Sequence, residues 1–459
     1  MFKKFIGNKQ FYKTLFLIAF PIVLQQFLTN FVNMLDNLMI GVVGNDETVG
    51  VSLANQVLFV FNLTVFGIIS GASIFSTQYF GAKDKEGFHQ VFRFKWLIGL
   101  VIVTIAILLM YFFKENLLSL FINSHEGDFS NPEVVLLEGE KYLVIMLVGL
   151  LPFLIKEIYA SSLREMKETF FPMLCAFIAI GVNFIFNYLL IFGKLGFPRL
   201  GAVGAAFATV LSRFVEMVVI MVYTHVKVSK FEMFEGIYRR FFPKFKSVKM
   251  FLPKTLLLTS NEFLWSLGLT FIAYSYSFRG LDFLAANNIC NTINNVFITT
   301  GTSLGAATAI ILGNLLGKGD RDEAKATSYR IMLSSVVFAL LLTGVEIGLA
   351  FVIPNFYNTT DQIKLLARHI IIMAALVLPI RSFNTCTYYT LRSGGLILLT
   401  MLFDSMFVVL VKFPLAFVLA RYTDIHVLLL VFIVYNVDII EVIIGYILVD
   451  RGIWLKKIV

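Results

Sequence analysis

Charge is scarce in this chain. Aspartate, glutamate, lysine and arginine make up 15% of the 459 residues, against about 25% in an ordinary soluble domain. A soluble protein of this length could not cover its surface with so few. Cysteine is scarcer still: Cys175, Cys290 and Cys386 lie far apart, each inside an apolar run. That excludes a disulfide framework and leaves them as small packing residues. The five histidines fall in no H-x-x-x-H or Cys/His grouping, so no structural metal site is expected. There is no G-x-x-x-x-G-K-[ST] string, which argues against ATP-driven work by this chain alone. The 10 prolines and a few short polar stretches are all that interrupt the apolar runs.

What is abundant is hydrocarbon. Hydrophobic residues make up 58% of the chain, 49 of the residues are phenylalanine, and the mean hydropathy is +0.83. Only a bilayer removes the conflict between that composition and water. A helix needs about 20 apolar residues to cross the hydrocarbon. Twelve such runs are present, near 12–41, 50–80, 93–113, 139–163, 170–193, 201–226, 250–277, 283–316, 330–354, 367–390, 396–420 and 425–449. Several exceed the minimum, so tilted or bent helices are expected. The basic start (Lys3, Lys4, Lys9, Lys13) runs into the first of them with no small-residue cleavage pattern, and the first span is expected to be retained.

An even number of spans puts both termini on one side. On that side fall 26 of the lysines and arginines; 8 fall on the other, and Lys156, Arg213, Arg381 and Lys412 fall within spans. The bias predicts cytoplasmic termini. The net charge of +9 is thereby a topology signal scattered over short loops, and nucleic acid is not an expected partner. The longest basic loop, around 227–254, mixes eight cations with Phe and Tyr and reads as a linker lying on anionic lipid. It divides the chain into an amino-terminal lobe (1–228), a linker (229–249) and a carboxy-terminal lobe (250–459).

The two lobes resemble each other. At an offset of 236, Gly81 aligns with Gly317, Asp84 with Asp320, Lys85 with Arg321 and Glu86 with Asp322. The fourth and tenth spans end in Leu163-Arg164 and Leu391-Arg392, and each contains a Leu-Pro, at Pro152 and Pro379. Pro21 and Pro253 sit early in the first and seventh. Equivalent loops share a side, so the duplication is parallel. The expected fold is all-α: about 12 transmembrane helices in two pseudo-symmetric six-helix lobes.

A carboxylate at bilayer depth costs roughly 2.5–3.5 kcal/mol on insertion scales and is expected to face a cavity or a partner. Gln26, Thr29, Asn33 and Asp36 are spaced 3, 4 and 3 apart, which puts them on one helix face. Asp36 on that stripe could carry a proton or, with other oxygens, hold a sodium ion. Glu262 lies beside Asn261 and Trp265, and Trp265 could stack on a flat cation. Asn287, Asn291 and Asn294 recur at helical spacing and could line a cavity or join helices. Arg213 and Glu216 are expected to pair. Lys156 and Glu157, adjacent in sequence, should point apart and need other partners. Asp404, Lys412, Asp438 and Glu441 could form an inter-helix network.

Several strings resemble the multidrug and toxic compound extrusion (MATE) family, in its bacterial form. They are Met34-Leu-Asp36-Asn-Leu-Met-Ile-Gly41, Gly71-Ala-Ser, Gln78-Tyr-Phe-Gly81-Ala, Asn187-Tyr-Leu-Leu-Ile-Phe-Gly193, Gly201-Ala-Val-Gly-Ala-Ala-Phe-Ala-Thr209, Asn261-Glu262-Phe-Leu-Trp265-Ser-Leu-Gly268, Gly313-Asn314-Leu-Leu-Gly317 and Leu391-Arg392-Ser-Gly-Gly395. Their order covers nearly the whole chain. The resemblance implies a secondary transporter of the bacterial plasma membrane. It would export organic, cationic or amphiphilic small molecules against inward proton or sodium flow, with no other cofactor, as a monomer. It also implies a cation-coupling site of Asp36, Asn183, Asn187 and Thr209. Many relatives have Asp where Asn187 stands, so a two-carboxylate site is not expected. In the second lobe the family pattern pairs a Glu, here Glu262, with an Asp on the tenth helix. That position is Arg381 here, which speaks against a cation site and suggests a Glu262–Arg381 pair. The alternatives are a lipid-linked precursor flippase of the same fold group, which needs a cationic cavity, and a membrane-embedded enzyme, for which no acid–base or metal constellation is evident.

Overall fold

The computed structural model describes residues 6–122, 131–357 and 359–459, without the side chains of residues 33, 34, 37, 38, 122 and 281. Among these residues the chain is helical throughout, with no strand. The helices are α1 (Lys9–Gly41), α2 (Asn45–Gly81), α3 (Lys85–Phe112), α4 (Lys114–Ile122), α5 (Pro132–Val148), α6 (Leu150–Glu165), α7 (Phe170–Phe192), α8 (Ala202–Val226), α9 (Phe245–Ser277), α10 (Leu281–Lys318), α11 (Arg321–Ala350), α12 (Asp361–Ser393), α13 (Ile397–Phe403), α14 (Ser405–Phe407), α15 (Phe413–Tyr422), α16 (Val427–Asn436) and α17 (Asp438–Asp450). Among the described residues eleven helical stretches are long and apolar enough to cross a bilayer, or twelve where the bent pair α5–α6 is counted as one span.

The bends have local causes. Between α5 and α6 the axis turns by 47°. Gly149 stands at the break and Pro152 in the first turn after it. Proline has no N–H to return to the carbonyl four residues back, and its ring crowds that carbonyl. The span of α13–α15 breaks at Asp404 (φ −104°, ψ −84°) and then widens into a π turn over Val408–Lys412, just before Pro414. The wide turn accommodates the proline.

Packing divides the chain into two compact units. One comprises Leu24–Ser76 and Lys85–Thr259; the other comprises Met1–Val23, Thr77–Asp84 and Ser260–Val459. The first unit is cored by residues such as Leu53, Ala54, Leu143, Leu154 and Ile158, all essentially inaccessible. The basic loop belongs to this unit. It does not simply lie flat: two 3₁₀ turns, Glu232–Phe234 and Ile237–Arg239, bury Phe231, Phe234 and Ile237. The second unit gathers Leu15, Ile18, Ala19 and Ile22 of α1 around Ile311, Leu312 and Leu316 of α10.

In that second unit the end of α2 crosses α10 backbone to backbone. A Cβ on Gly81 would strike the main chain of Asn314, and one on Gly317 would strike the main chain of Gln78. Gly81 and Gly317 are related by the 236-residue offset, and so are Gln78 and Asn314. The contact is therefore reciprocal. Gly313-x-x-x-Gly317 is the small-residue spacing that lets membrane helices approach this closely.

Candidate functional site

α1, α7 and α8 bring four of the expected residues together inside the first unit. Asn187 Nδ2 donates to Asp36 Oδ1 at 2.6 Å and to Asn183 Oδ1 at 3.1 Å. Asn183 Nδ2 in turn donates to Thr209 Oγ1 at 3.3 Å. The i,i+4 spacing of the two asparagines on α7 puts them on one face, and that face is buried: Asn183 is 5% exposed and Asn187 not at all. Asn187 Oδ1 is buried with no hydrogen-bond partner. A buried acceptor left without a donor is costly. It is the natural ligand for a proton carried on Asp36 or for a small hard cation. The donor set of one carboxylate, two amide oxygens and a hydroxyl fits a monovalent ion. Tyr142 of α5, which hydrogen-bonds Asn55, lies within electrostatic reach of Asp36. Neither spacing nor composition flagged it.

Other members of the expected stripe do not join this chain. Gln26 is half-buried and Thr29 exposed, its hydroxyl donating to Gln25 O at 2.9 Å. The side chain of Asn33 lies outside the described residues.

The second unit holds a separate polar cluster around Glu262. Asn261 Nδ2 reaches both Tyr388 Oη and Asp404 Oδ2 at 3.2 Å, and Ser405 Oγ donates to Asn261 Oδ1 at 2.7 Å. Tyr388 Oη donates to Glu262 Oε1 at 3.4 Å. The Arg392 guanidinium stacks on the Tyr389 and Tyr388 rings. Trp265 is half-buried one turn along α9. Of the α10 asparagines, Asn287 and Asn294 are buried and Asn291 is exposed.

The expected Glu262–Arg381 pair is absent. Arg381 Nε faces Asp438 Oδ2 at 3.5 Å and its guanidinium covers the Tyr435 ring at 4.6 Å. Lys412 meets Asp438 and stands 3.8 Å from Glu441, whose Oε2 accepts from Asn384 Nδ2 at 3.0 Å. Thus Lys412, Asp438 and Glu441 form the expected network, while Asp404 turns to Asn261. Arg381 and Glu262 lie on α12 and α9, and their side chains leave on faces that meet different neighbours.

Two more expectations need correction in the first unit, although Lys156 and Glu157 do take the further partners expected of them, Glu216 and Arg164. Lys156 Nζ does meet its neighbour Glu157, at 2.8 Å, and also Glu216 at 3.5 Å. Their long stems converge although their Cβ atoms diverge. Arg213 therefore has no Glu216 to itself and donates to Gly149 O at 3.4 Å. Lys95, near the start of α3, is wholly buried, bonding Glu165 at 2.6 Å and Ser161 at 3.0 Å, with Ser73 also on Glu165. No cluster of three or more His, Cys, Asp or Glu suited to a metal occurs among the described residues.

The described residues thus combine eleven or twelve candidate membrane spans with a part-buried carboxylate, Asp36, hydrogen-bonded to a neutral amide. A family model described as MatE matches residues 21–189 and 257–418. The chain belongs to the MatE family: it is a multi-pass efflux transporter and not an enzyme. It is 26% identical over 378 residues to "Probable multidrug resistance protein NorM" of Haemophilus ducreyi, covering 79% of this chain and 76% of that one. To the Thermotoga maritima protein of the same name it is 24% identical, over 93% and 90% of the two chains. Among solved structures it is similar to an outward-facing multidrug resistance MATE transporter of the MOP superfamily, with a TM-score of 0.84 and 18% identity, each chain 98% covered. It is also similar to a Pyrococcus furiosus MOP superfamily transporter described as having reverse polarity of its binding pocket, with a TM-score of 0.83 and 17% identity. At these identities the two structures speak to the fold.

Proposed function

We propose that the chain is a monomeric exporter of organic, cationic or amphiphilic compounds in a bacterial plasma membrane, both termini cytoplasmic, driven by a proton or sodium ion bound at Asp36. The observation that carries the reading is the hydrogen-bonded chain Asp36–Asn187–Asn183–Thr209 with the Asn187 carbonyl left without a donor. A proton or ion that arrives supplies what that oxygen lacks, and its departure leaves Asp36 charged. Such a two-valued site can bias a transporter between facing one side and the other. Asn183 and Thr209 hold Asn187 in the orientation that offers Nδ2 to Asp36. The names of the relatives support drugs as cargo, and the 26-to-8 bias in basic residues supports the orientation.

The flippase reading is weaker. It needs free positive charge for a diphosphate, and three of the four intramembrane cations, Lys156, Arg381 and Lys412, are held by carboxylates, which leaves Arg213 on the Gly149 carbonyl.

The test is efflux of ethidium from proteoliposomes under an imposed sodium gradient, then a pH gradient. Wild type should respond to one of them. Asp36→Asn should respond to neither, although its amide oxygen still accepts from Asn187 and the fold persists. Unchanged efflux by the variant would sink the assignment.

A further inference from the structure

On the outer side of α3, where the basic loop folds back, lies a cleft of about 410 Å³, within the roughly 300–1,000 Å³ of small-ligand sites. It serves neither polar cluster described above. Its floor is Trp96 and Leu100, its rim Phe241 and Phe242, and its cationic end Arg93 and Arg240.

Three observations give it an occupant. First, its polar groups are incompletely used. Arg93 is 4% exposed; its Nε and Nη2 donate to Ile237 O at 3.4 and 3.2 Å, but Nη1 has no hydrogen-bond acceptor. The indole N–H of Trp96 is also buried with no acceptor. Second, positive charge is in excess. Arg93 and Arg240 are close enough to repel. The nearby anion is Glu86, 3.7 Å from Arg93 Nη1, beyond hydrogen-bond distance, and shared with Lys244 at 3.4 Å. Third, the apolar wall does not end at the cleft. It continues up α3 through the exposed Val101, Ile105 and Leu108, while Phe241 and Phe242 are 73% and 74% exposed at its mouth. Exposed aromatics beside arginines at the end of a spanning helix mark the headgroup level of a bilayer.

We infer that this cleft is a binding site for an anionic phospholipid from the leaflet on the basic side of the membrane. The phosphodiester accepts from Arg93 Nη1, from the Trp96 indole and from the Arg240 guanidinium, and one acyl chain runs along Leu100 and up α3. A zwitterionic lipid offers the same phosphate but carries its own ammonium, so it gains less beside two arginines whose nearby carboxylate is shared with a lysine. The site is independent of ion coupling at Asp36, because nothing in it bears on that carboxylate.

The experiment uses the full-length protein in phosphatidylcholine vesicles without any ion gradient. Equal mole fractions of acyl-brominated phosphatidylglycerol or brominated phosphatidylcholine are added, and tryptophan quenching is read. Subtracting the signal of Trp96→Phe leaves the part due to Trp96. Quenching of that part should favour phosphatidylglycerol several-fold. Arg240→Gln, at the loop surface, should cut the preference about fivefold, the worth of one interfacial cation. Arg93→Gln should do the same if it folds. Equal quenching by the two lipids would overturn the assignment, as would a preference that survives in Arg240→Gln. So would loss of quenching on adding ethidium with no lipid preference, which would make the cleft a cargo site.

Discussion

Two sites, one in each unit, handle intramembrane charge in opposite ways. Among the described side chains around Asp36 it is the one carboxylate, and its hydrogen-bond partner, Asn187, is neutral. Around Asp438 there are two carboxylates and two cations, Arg381 and Lys412, in mutual contact. A lone acid among neutral dipoles changes its net charge whenever one small ion comes or goes. A balanced quartet cannot lose a member without stranding an uncompensated charge in a poorly solvated interior. The first arrangement is suited to a working cycle, the second to holding helices in place.

The largest expected effect separates these roles. Asp36→Asn should reduce gradient-driven efflux to the passive leak while leaving the melting temperature in detergent almost unchanged. Lys412→Met should do the reverse: a loss of about 3–5 kcal/mol in stability, with efflux falling only as the folded fraction falls. If both variants fail in the same assay, the contrast collapses. Next, Glu262→Gln should retain most of the efflux rate, because Glu262 shares its site with a second carboxylate, Asp404, bonded to Asn261. Efflux as low as in Asp36→Asn would place coupling in both units.

Asn187→Asp sharpens the comparison from the other direction. It puts a second carboxylate beside Asp36, and a site of two carboxylates should favour a hard cation over neutral acids. Sodium dependence of efflux should appear or increase, measured as initial rate against sodium concentration at fixed pH. The smallest effect belongs to Thr209→Val. It removes one neutral hydrogen bond from the far end of the chain, about 1 kcal/mol. The concentration of driving ion for half-maximal efflux should rise about fivefold or less.

Much of the frame was legible before any coordinates. Apolar run length marks spans because the bilayer sets one physical threshold, and the twelve runs correspond to eleven helices and a bent pair. The site around Asp36 came from resemblance together with helical spacing, and α7 does present Asn183 and Asn187 on one face. Individual charge partners were much less legible. Helical periodicity fixes where a Cβ points, but a lysine or arginine stem reaches about as far as a helix turn. Lys156 could therefore curl back to Glu157, and Arg381 could pass over Glu262 for Asp438. The burial of Lys95 was not legible for a related reason: a charge near a span end is ordinarily at the surface, unless another helix supplies its partner, as α6 does with Glu165. The folding of the basic loop onto α3 also escaped. Its buried Phe234 and Ile237 have the same composition as side chains that would dip into lipid.

The glycine crossing of α2 and α10 has a consequence for how loss-of-function variants are read. At Gly81 and Gly317 the obstacle to any larger residue is main chain rather than a side chain that could swing aside. A screen for lost drug resistance would therefore return hits at both positions, each well away in sequence from Asp36 and Glu262. Such hits would look like a hidden binding determinant. They would report only that two copies of an ancestral segment meet there with no room to spare, so that a change in either copy is felt by the other.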